Sequence, residues 1–207
     1  MTETSYLTLA LSTVLAYLIG GLPVGYWFVR VTMGSDIRTM GSGNIGATNV
    51  QRTAGTKAGV IVLMLDILKG FLAVWISGLM NRQDSVALAL AACAVMVGHC
   101  YPIILGFKGG KAVACFIGAF AVVTPLPLAA VILVFVTTVA LSRFISLGSI
   151  IGALAFPILV GLIQHPAAPI LYAAVFAAVL VIYRHKANIG RLRAGTENVF
   201  SFKGKKA

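Results

Sequence analysis

The sequence predicts an all-α integral membrane protein with seven transmembrane helices, and its composition and hydropathy pattern support this prediction. Of the 207 residues, 59% are hydrophobic and 10% are charged, whereas a soluble domain has roughly 45–50% apolar and about 25% charged residues. The mean hydropathy is +0.99. The apolar residues also fall into runs near the length of about 20 residues that a helix needs to cross a bilayer. These observations exclude an ordinary water-soluble enzyme.

The seven predicted spans come from six apolar stretches. Five stretches are clear and cover residues 6–29, 58–80, 86–105, 147–163 and 168–183. The stretch 112–141 is too long for one span. Because Thr124, Pro125 and Pro127 interrupt it, we expect two short helices there that turn near the outer surface. If this stretch is instead re-entrant, five spans are the alternative. We expect residues 1–207 to form a single membrane domain.

The positive charge predicts the orientation of these spans. The chain has 16 Lys and Arg but only 5 Asp and Glu, a net charge of +11. Seven spans place fourteen of these cations on one side, and short cytoplasmic connections are enriched in Lys and Arg. We therefore expect the N-terminus outside, the C-terminus in the cytoplasm, and cytoplasmic segments at about 30–57, 106–111 and 184–207. Topology alone would also explain this bias, without any binding site.

Carboxylates are scarce and scattered. The complete set is Glu3, Asp36, Asp66, Asp84 and Glu197. No two of them have a spacing suited to holding Mg²⁺, which diphosphate-handling sites usually require. The sequence therefore excludes metal-dependent phosphotransferases, and we expect no metal or other cofactor. Asp66 and Lys69 lie near the middle of the second span, at a spacing that allows an ion pair on one helix face.

The first cytoplasmic segment contains a glycine-rich stretch, Gly-Ser-Gly-Asn-Ile-Gly-Ala-Thr-Asn at 41–49, followed by Arg52. Glycine reaches positive φ without steric cost, so backbone amides can converge into an anion-binding nest. An arginine next to such a nest can donate two hydrogen bonds to a phosphate. The pattern indicates a phosphate site, although a flexible connector is the simpler alternative.

The second segment has two glycines and a lysine before a predicted helix. Gly109, Gly110 and Lys111 follow Lys108, and His99 lies near the end of the preceding span. Free amides at a helix N-terminus together with an ammonium group would bind an anion. The alternative is that the two lysines only anchor the chain at the membrane surface.

The third segment is the basic C-terminal region. His185 and Asn188 have i, i+3 spacing and would share a helix face, and Arg191 and Glu197 follow them. A basic tail usually contacts anionic lipid headgroups, but this face is more selective than a headgroup patch needs. Lys203, Lys205 and Lys206 are interpreted as solvated charges without a role.

Taken in order, these motifs resemble one family. They are Gly-Ser-Gly-Asn-x-Gly-Ala-Thr-Asn-x-x-Arg, Asp-x-x-Lys-Gly, Gly-His-x-x-Pro with Phe-Lys-Gly-Gly-Lys, and His-x-x-Asn-Ile-x-Arg-Leu-x-x-Gly-Thr-Glu. The set is similar to that of the bacterial acyl-phosphate-dependent glycerol-3-phosphate acyltransferases of the PlsY type, over roughly residues 14–200. The resemblance implies a bacterial inner-membrane enzyme that moves an acyl group from acyl phosphate to a glycerol 3-phosphate hydroxyl. Lysophosphatidic acid and inorganic phosphate would be the products.

The resemblance also implies roles for particular residues. The predicted catalytic residues are Ser42, Lys111, His185 and Asn188. The predicted substrate-binding residues are Gly41, Gly43, Asn44, Gly46, Thr48, Asn49, Arg52, Lys108, Gly109, Gly110 and Arg191. The predicted supporting residues are Asp66, Lys69, His99 and Glu197. We expect the active site on the cytoplasmic face, with membrane lipids around it and neither a nucleic acid nor an obligate protein partner.

Two points of mechanism stay open at this stage. The attacking hydroxyl needs a proton acceptor, which is either His185 or a substrate phosphate oxygen. Direct transfer is favoured over an acyl-enzyme at Ser42, because no base with an orienting partner accompanies that serine. A transporter of anionic phosphate esters is the alternative function, although no internal repeat indicates one.

Overall fold

The computed structural model describes residues 5–200, and every regular element in that range is helical. Glu3, Lys203, Lys205 and Lys206 lie outside the described residues. The α-helices are α1 (Tyr6–Gly20), α2 (Val24–Met33), α3 (Ala47–Ala54), α4 (Thr56–Met80), α5 (Ser85–Cys100), α6 (Val113–Val123), α7 (Pro125–Ser142), α8 (Ile145–Ile163), α9 (Ala168–Arg184) and α10 (Lys186–Arg193). The predicted all-α fold class is therefore confirmed for the described residues.

The first apolar stretch differs from its prediction. We predicted one helix over 6–29, but α1 ends at Gly20, α2 starts at Val24, and the apolar segment continues to Met33. Pro23 has no amide hydrogen with which to continue the helix. Gly20 also lies so close to the Val95 backbone that a Cβ would overlap it. The missing amide hydrogen of Pro23 and the close packing of Gly20 against α5 together explain the break.

The predicted interruption of the 112–141 stretch is confirmed, since α6 ends at Val123 and α7 begins at Pro125. The two halves differ in length. α7 has 18 residues, whereas α6 has 11, and at 1.5 Å per residue α6 covers only about 16 Å. Among residues 5–200, five segments are long and apolar enough to cross a membrane, or six if α9 and the bent α10 count as one.

Small residues bring the helices close together. A Cβ on Gly70 of α4 would overlap the Cys115 carbonyl of α6, and a Cβ on Gly118 of α6 would overlap the Ile67 carbonyl of α4. Such contacts are typical of helix pairs in membranes, where association depends on close van der Waals packing. They fix α6 against α4, and this contact positions the residues that begin α6.

Aromatic packing joins α6 to α8. The Phe156 ring of α8 lies edge-on to both Phe116 and Phe120 of α6, with centroid distances of 4.6 Å in each case. Phe120 and Phe156 are completely buried. This cluster fills space between the two helices, and other residues near the N-terminal ends of both helices line a cavity.

Candidate active site

The three predicted cytoplasmic segments meet in one cavity of about 340 Å³. Its wall is formed by α3, the starts of α4, α6 and α8, and the region that joins α9 to α10. Thirteen of the predicted site residues line it. They are Ser42, Asn44, Gly46, Thr48, Asn49, Arg52, Asp66, His99, Lys111, His185, Asn188, Arg191 and Glu197. The structure thus brings together residues up to 155 positions apart in the sequence.

The other six predicted site residues do not line this cavity. They are Gly41, Gly43, Lys69, Lys108, Gly109 and Gly110. Lys108 is exposed, and Lys69 is buried behind Asp66. The four glycines shape the segments that present the lining side chains.

A chain of polar contacts connects the second and third segments. The Lys111 ammonium donates to the Asn188 side-chain carbonyl, and the Asn188 amide donates to Glu197 Oε1 at 2.7 Å. Glu197 also accepts from Ser146 of α8 at 3.0 Å and from Arg191 Nε at 2.7 Å. The single carboxylate in this network therefore fixes the side chains around it, and Asn188 links it to the ammonium group.

Burial and hydrogen bonding set the charge of these groups. Burial lowers the pKa of the Lys111 ammonium to about 8, and attraction to Glu197 offsets part of this effect. Burial raises the pKa of Glu197, but hydrogen bonds from Asn188, Arg191 and Ser146 outweigh it and lower that pKa below its usual value. At neutral pH the site therefore holds an ionised carboxylate and a mostly protonated lysine.

His185 is a neutral group in this setting. Burial and then the nearby Lys111 charge lower its pKa to about 4. Its Nδ1 lies 2.7 Å from the Val181 carbonyl oxygen, which can only accept, so the neutral ring carries its proton on Nδ1. Nε2 is then left with a lone pair and can accept a hydrogen bond or a proton.

The 41–49 segment is ordered by its own asparagines rather than by a ligand. Asn49 is only 2% exposed; its Oδ1 accepts from the Ser42 amide at 2.8 Å, and its Nδ2 donates to the Met40 and Asn44 carbonyls at 3.0 and 2.8 Å. Asn44 Oδ1 in turn accepts from the Gly46 amide at 2.9 Å. The Gly43 amide donates to the Met40 carbonyl at 2.9 Å. Our expectation that these amides are free for an anion is therefore wrong for Ser42, Gly43 and Gly46.

Amides at the start of α3 remain suitable for an anion. Gly46 precedes this helix without a side-chain cap, and the first amides of a helix have no intrahelical acceptor. Ala47 and Thr48 occupy this first turn and line the cavity together with Arg52, one turn further on. The first segment therefore offers the helix N-terminus, a hydroxyl group and a guanidinium group.

Gly41 and Gly43 are required by the backbone of this segment. Their φ angles are +57° and +69°, in the left-handed region that glycine adopts without strain. A Cβ on Gly41 would also overlap Asn49 Oδ1. These two glycines allow the turn that places Ser42 at the cavity.

The amides of Gly109 and Gly110 are not free either, contrary to the prediction. The Gly109 amide donates to the Cys100 carbonyl at 3.1 Å, and the Gly110 amide donates to the His99 carbonyl at 3.0 Å. α6 begins only at Val113, after Ala112 in a left-handed conformation. The glycines therefore attach this segment to the end of α5, and Lys111 is the group that it presents to the cavity.

A buried polar cluster lies at the wall of the cavity, where Asp66 and His99 line it. The predicted ion pair is present, with Lys69 Nζ 2.8 Å from Asp66 Oδ1, and the same ammonium donates to the Leu22 carbonyl at the α1–α2 break at 2.7 Å. His99 Nδ1 lies 3.7 Å from Asp66 Oδ1. Asp66, His99 and Cys115 approach one another closely enough to hold a metal ion, but Lys69 already supplies the positive charge at this carboxylate.

The sequence analysis missed several lining residues. The polar ones are Gln51, Thr56, Ser146, Ser149 and Asn198, and the apolar ones include Val60, Leu63, Ile117, Phe135 and Ile145. Ser146 and Ser149 have i, i+3 spacing at the start of a predicted span, which was an available signal for a polar face. The apolar residues had no such signal, because their side chains are of the same kind as those that face lipid.

The fold and the site define an integral membrane protein with a basic cavity that can bind an anionic group beside an apolar wall. The comparisons with known proteins agree with this class. The glycerol-3-phosphate acyltransferase family model matches residues 10–195. The glycerol-3-phosphate acyltransferase of Desulforamulus reducens is 44% identical over 192 residues, which are 93% of this chain and 95% of the relative.

Two solved structures have the same fold. A crystal structure of PlsY (YgiH), an integral membrane glycerol 3-phosphate acyltransferase, in its glycerol 3-phosphate form matches with a TM-score of 0.88 and 37% identity, covering 93% of this chain and 96% of that one. The lysophosphatidic acid form of PlsY matches with a TM-score of 0.85 and 35% identity, covering 94% and 96%. The chain belongs to the glycerol-3-phosphate acyltransferase family of the PlsY type.

Proposed function

We propose that the protein transfers a fatty acyl group from acyl phosphate to a hydroxyl group of glycerol 3-phosphate, and releases lysophosphatidic acid and inorganic phosphate. The observation that carries this proposal is the composition of one cavity. Lys111, Arg52 and Arg191 line it together with apolar residues such as Leu63 and Ile117. A donor with a phosphate at one end and a hydrocarbon chain at the other is complementary to both parts.

The cationic groups and the helix N-terminus suit two phosphorylated substrates. Lys111 and Arg52 are charged donors, and the first-turn amides of α3 add uncharged ones. Anions bind well at helix N-termini because the amides and the helix dipole act together. Since Glu197 is engaged by its own hydrogen bonds, its carboxylate repels the substrates less than a free one would.

We further propose direct transfer without an acyl-enzyme. The hydroxyl oxygen of glycerol 3-phosphate attacks the donor carbonyl carbon, the carbon–oxygen bond to phosphate breaks, and phosphate leaves with the electron pair. Lys111 stabilises the charge that develops on that phosphate. Ser42 binds substrate in this scheme and forms no covalent bond.

The hydroxyl proton moves to a phosphate oxygen in this proposal, with His185 Nε2 as the alternative acceptor. A pKa of about 4 makes His185 a weak base at neutral pH. The ring still has its Nε2 lone pair available, so it can accept a hydrogen bond from the hydroxyl group and orient it. Orientation of both substrates then supplies much of the rate acceleration.

The proposed topology has seven crossings, with the N-terminus outside and the cavity at the cytoplasmic face of the bacterial inner membrane. The starts of α4, α6 and α8 line the same cavity as the end of α9, which fits helices that alternate in direction. This arrangement counts α1 with α2 as one crossing and includes the short α6. The orientation can be tested with single cysteines introduced at 82 and 193 in a protein that lacks Cys93, Cys100 and Cys115. A membrane-impermeant reagent should label position 82 in intact cells and position 193 only after the membrane is permeabilised.

The decisive experiment uses the purified protein in detergent with acyl phosphate and glycerol 3-phosphate. We expect lysophosphatidic acid and phosphate in equal amounts, and no product when acyl-CoA or acyl carrier protein thioester replaces acyl phosphate. Product formation without a sealed vesicle excludes transport as the primary role. An absence of product with every donor would refute the enzymatic proposal.

Two further measurements address the mechanism. Intact-protein mass spectrometry after incubation with acyl phosphate alone should show no acylated protein, and an added acyl mass on Ser42 would overturn direct transfer. His185→Ala should lower kcat only moderately, by about tenfold, if its role is to orient the hydroxyl group. A loss of about 10⁴-fold would instead identify His185 as the base.

A further inference from the structure

Arg184 holds the backbone of the segment that carries Lys111. Its Nε donates to the Gly110 carbonyl at 2.9 Å, and its Nη2 donates to the Gly109 carbonyl at 2.9 Å. Two consecutive carbonyl groups thus accept from one guanidinium group. The planar fork of arginine suits two parallel acceptors, whereas the ammonium of a lysine has no such fixed geometry.

The same dipeptide is bound on its other side by the end of α5. The Gly109 and Gly110 amides donate to the Cys100 and His99 carbonyls. All four polar backbone groups of the two glycines therefore have partners. The two amides donate to α5, and the two carbonyls accept from Arg184. A dipeptide held from both sides has little freedom, and this fixes the residue that follows it.

The surroundings of Arg184 also keep it in place. Its guanidinium group lies over the Tyr101 ring, 5.0 Å from the centroid, and the Tyr101 carbonyl accepts from the Tyr17 hydroxyl at 2.8 Å. A Cβ on Gly110 would overlap the His99 ring, and one on Gly109 would overlap the His99 carbonyl oxygen. Only glycines allow the segment to lie this close to α5.

Arg184 thereby connects two parts of the site. It directly precedes His185 at the end of α9, and Asn188, on the following α10, accepts the hydrogen bond from Lys111. We propose that Arg184 is a positioning residue for the acyl transfer, which clamps the Gly109–Gly110 backbone and so sets Lys111 in register with His185 and Asn188. This inference rests on the proposed function, because it concerns the rate of that reaction.

A simpler role for Arg184 would be that of a cytoplasmic charge that orients α9. Such a role needs only a positive charge, so lysine would replace arginine without loss. The clamp needs two donors in one plane, so lysine would not suffice. The substitution Arg184→Lys therefore separates the two roles while it keeps the charge.

The test compares Arg184→Lys with the matched control Arg193→Lys, whose arginine is exposed in α10. We expect Arg184→Lys to lower kcat/KM by about 100-fold, since a misplacement of about 1 Å can have this effect. Most of the loss should be in kcat, and the melting temperature in detergent should change little. Arg193→Lys should stay within twofold of the native protein.

Two additional measurements connect the effect to Lys111. In an Arg184→Ala protein, guanidinium chloride at millimolar concentration should restore part of kcat, whereas ammonium chloride should not. In a Lys111→Arg background, Arg184→Lys should cost much less than in the native background, because contacts that act through one another are not additive.

These experiments distinguish a failure of the inference about Arg184 from a failure of the proposed function. If the native protein gives no product, the function fails. If the native protein is active and Arg184→Lys keeps kcat/KM within twofold, or if the two substitutions are additive and guanidinium restores nothing, then Arg184 is not a positioning residue.

Discussion

Two glycine-rich segments, 41–49 and 107–111, have similar patterns in the sequence but different constructions in the structure. In the first, the side chains of Asn44 and Asn49 bind the backbone from within the segment. In the second, the backbone is bound from outside, by the end of α5 and by Arg184. The first leaves helix amides for a ligand, and the second presents a charged side chain.

The comparison shows that the glycines of the first segment allow unusual φ angles and those of the second allow close approach, and that neither set serves mainly to provide free amides. Gly41 and Gly43 have positive φ, whereas Gly109 and Gly110 are needed because a side chain would overlap α5. Substitutions in the two segments should therefore have different effects on activity and stability.

The largest difference in activity between the two segments should come from the side chains that they present to the cavity, Lys111 and Ser42. Lys111→Gln removes a half-buried charge that, in the proposed mechanism, stabilises the charge developing on the leaving phosphate, so we expect kcat/KM to fall by about 1,000-fold. Ser42→Ala removes one neutral hydrogen-bonding group, so we expect a loss of about tenfold. Steady-state kinetics with acyl phosphate and glycerol 3-phosphate checks both. Equal losses would mean that Ser42 does more than bind substrate.

The next largest effect should come from the packing of the second segment. Gly110→Ala puts a methyl group into the His99 ring, and we expect a loss of about 100-fold in kcat/KM as Lys111 is displaced. Gly190→Ala in α10 is the matched control, because its Cβ would meet nothing within 4 Å. An active Gly110→Ala protein would show that the segment tolerates displacement.

In the first segment, substitution of either asparagine should lower the free energy of unfolding, because these side chains hold the backbone of that segment. Asn49→Ala removes a buried side chain and leaves the Ser42 amide and the Asn44 carbonyl without the partner that Asn49 provides, so we expect the free energy of unfolding to fall by about 2–3 kcal/mol. Asn44→Ala loses one hydrogen bond, the one that the Gly46 amide donates, and should cost about 1 kcal/mol. Thermal unfolding in detergent measures both, and the reverse order would contradict the proposed role of Asn49.

The smallest expected effect is in the pH profile, and it should belong to the second segment alone. The pKa of Lys111 is lowered to about 8, so its ammonium form is lost as the pH rises through that value. We expect kcat/KM to fall about fivefold between pH 8 and pH 9, as for a single titrating group with this pKa. Lys111→Arg should remove this decrease and Ser42→Ala should keep it. A profile unchanged in Lys111→Arg would assign the decrease to another group.

Much of the fold could be predicted from hydropathy, because apolar runs and proline positions are local properties. The break between α6 and α7 was predicted from Thr124 and Pro125. The break between α1 and α2 was missed, since it depends on Gly20 packing against α5 as well as on Pro23. Most candidate site residues were predicted because they belong to motifs. Ser146 and Ser149 belong to none of these motifs, and only their location at the cavity identifies them.

The sequence by itself determined the membrane class, the family and the residues with phosphate-binding chemistry, because these follow from composition and from motifs that are continuous in the chain. Only the tertiary structure decided which groups are free to act. The Asn49 side chain and the Gly109 and Gly110 amides are already bound within the protein. The Lys111 ammonium, by contrast, has donors beyond its bond to Asn188, and His185 Nε2 has a free lone pair, and both residues line the cavity. The physical reason is that a hydrogen-bonding group binds whichever partner is closest, and residues far apart in the sequence provide those partners.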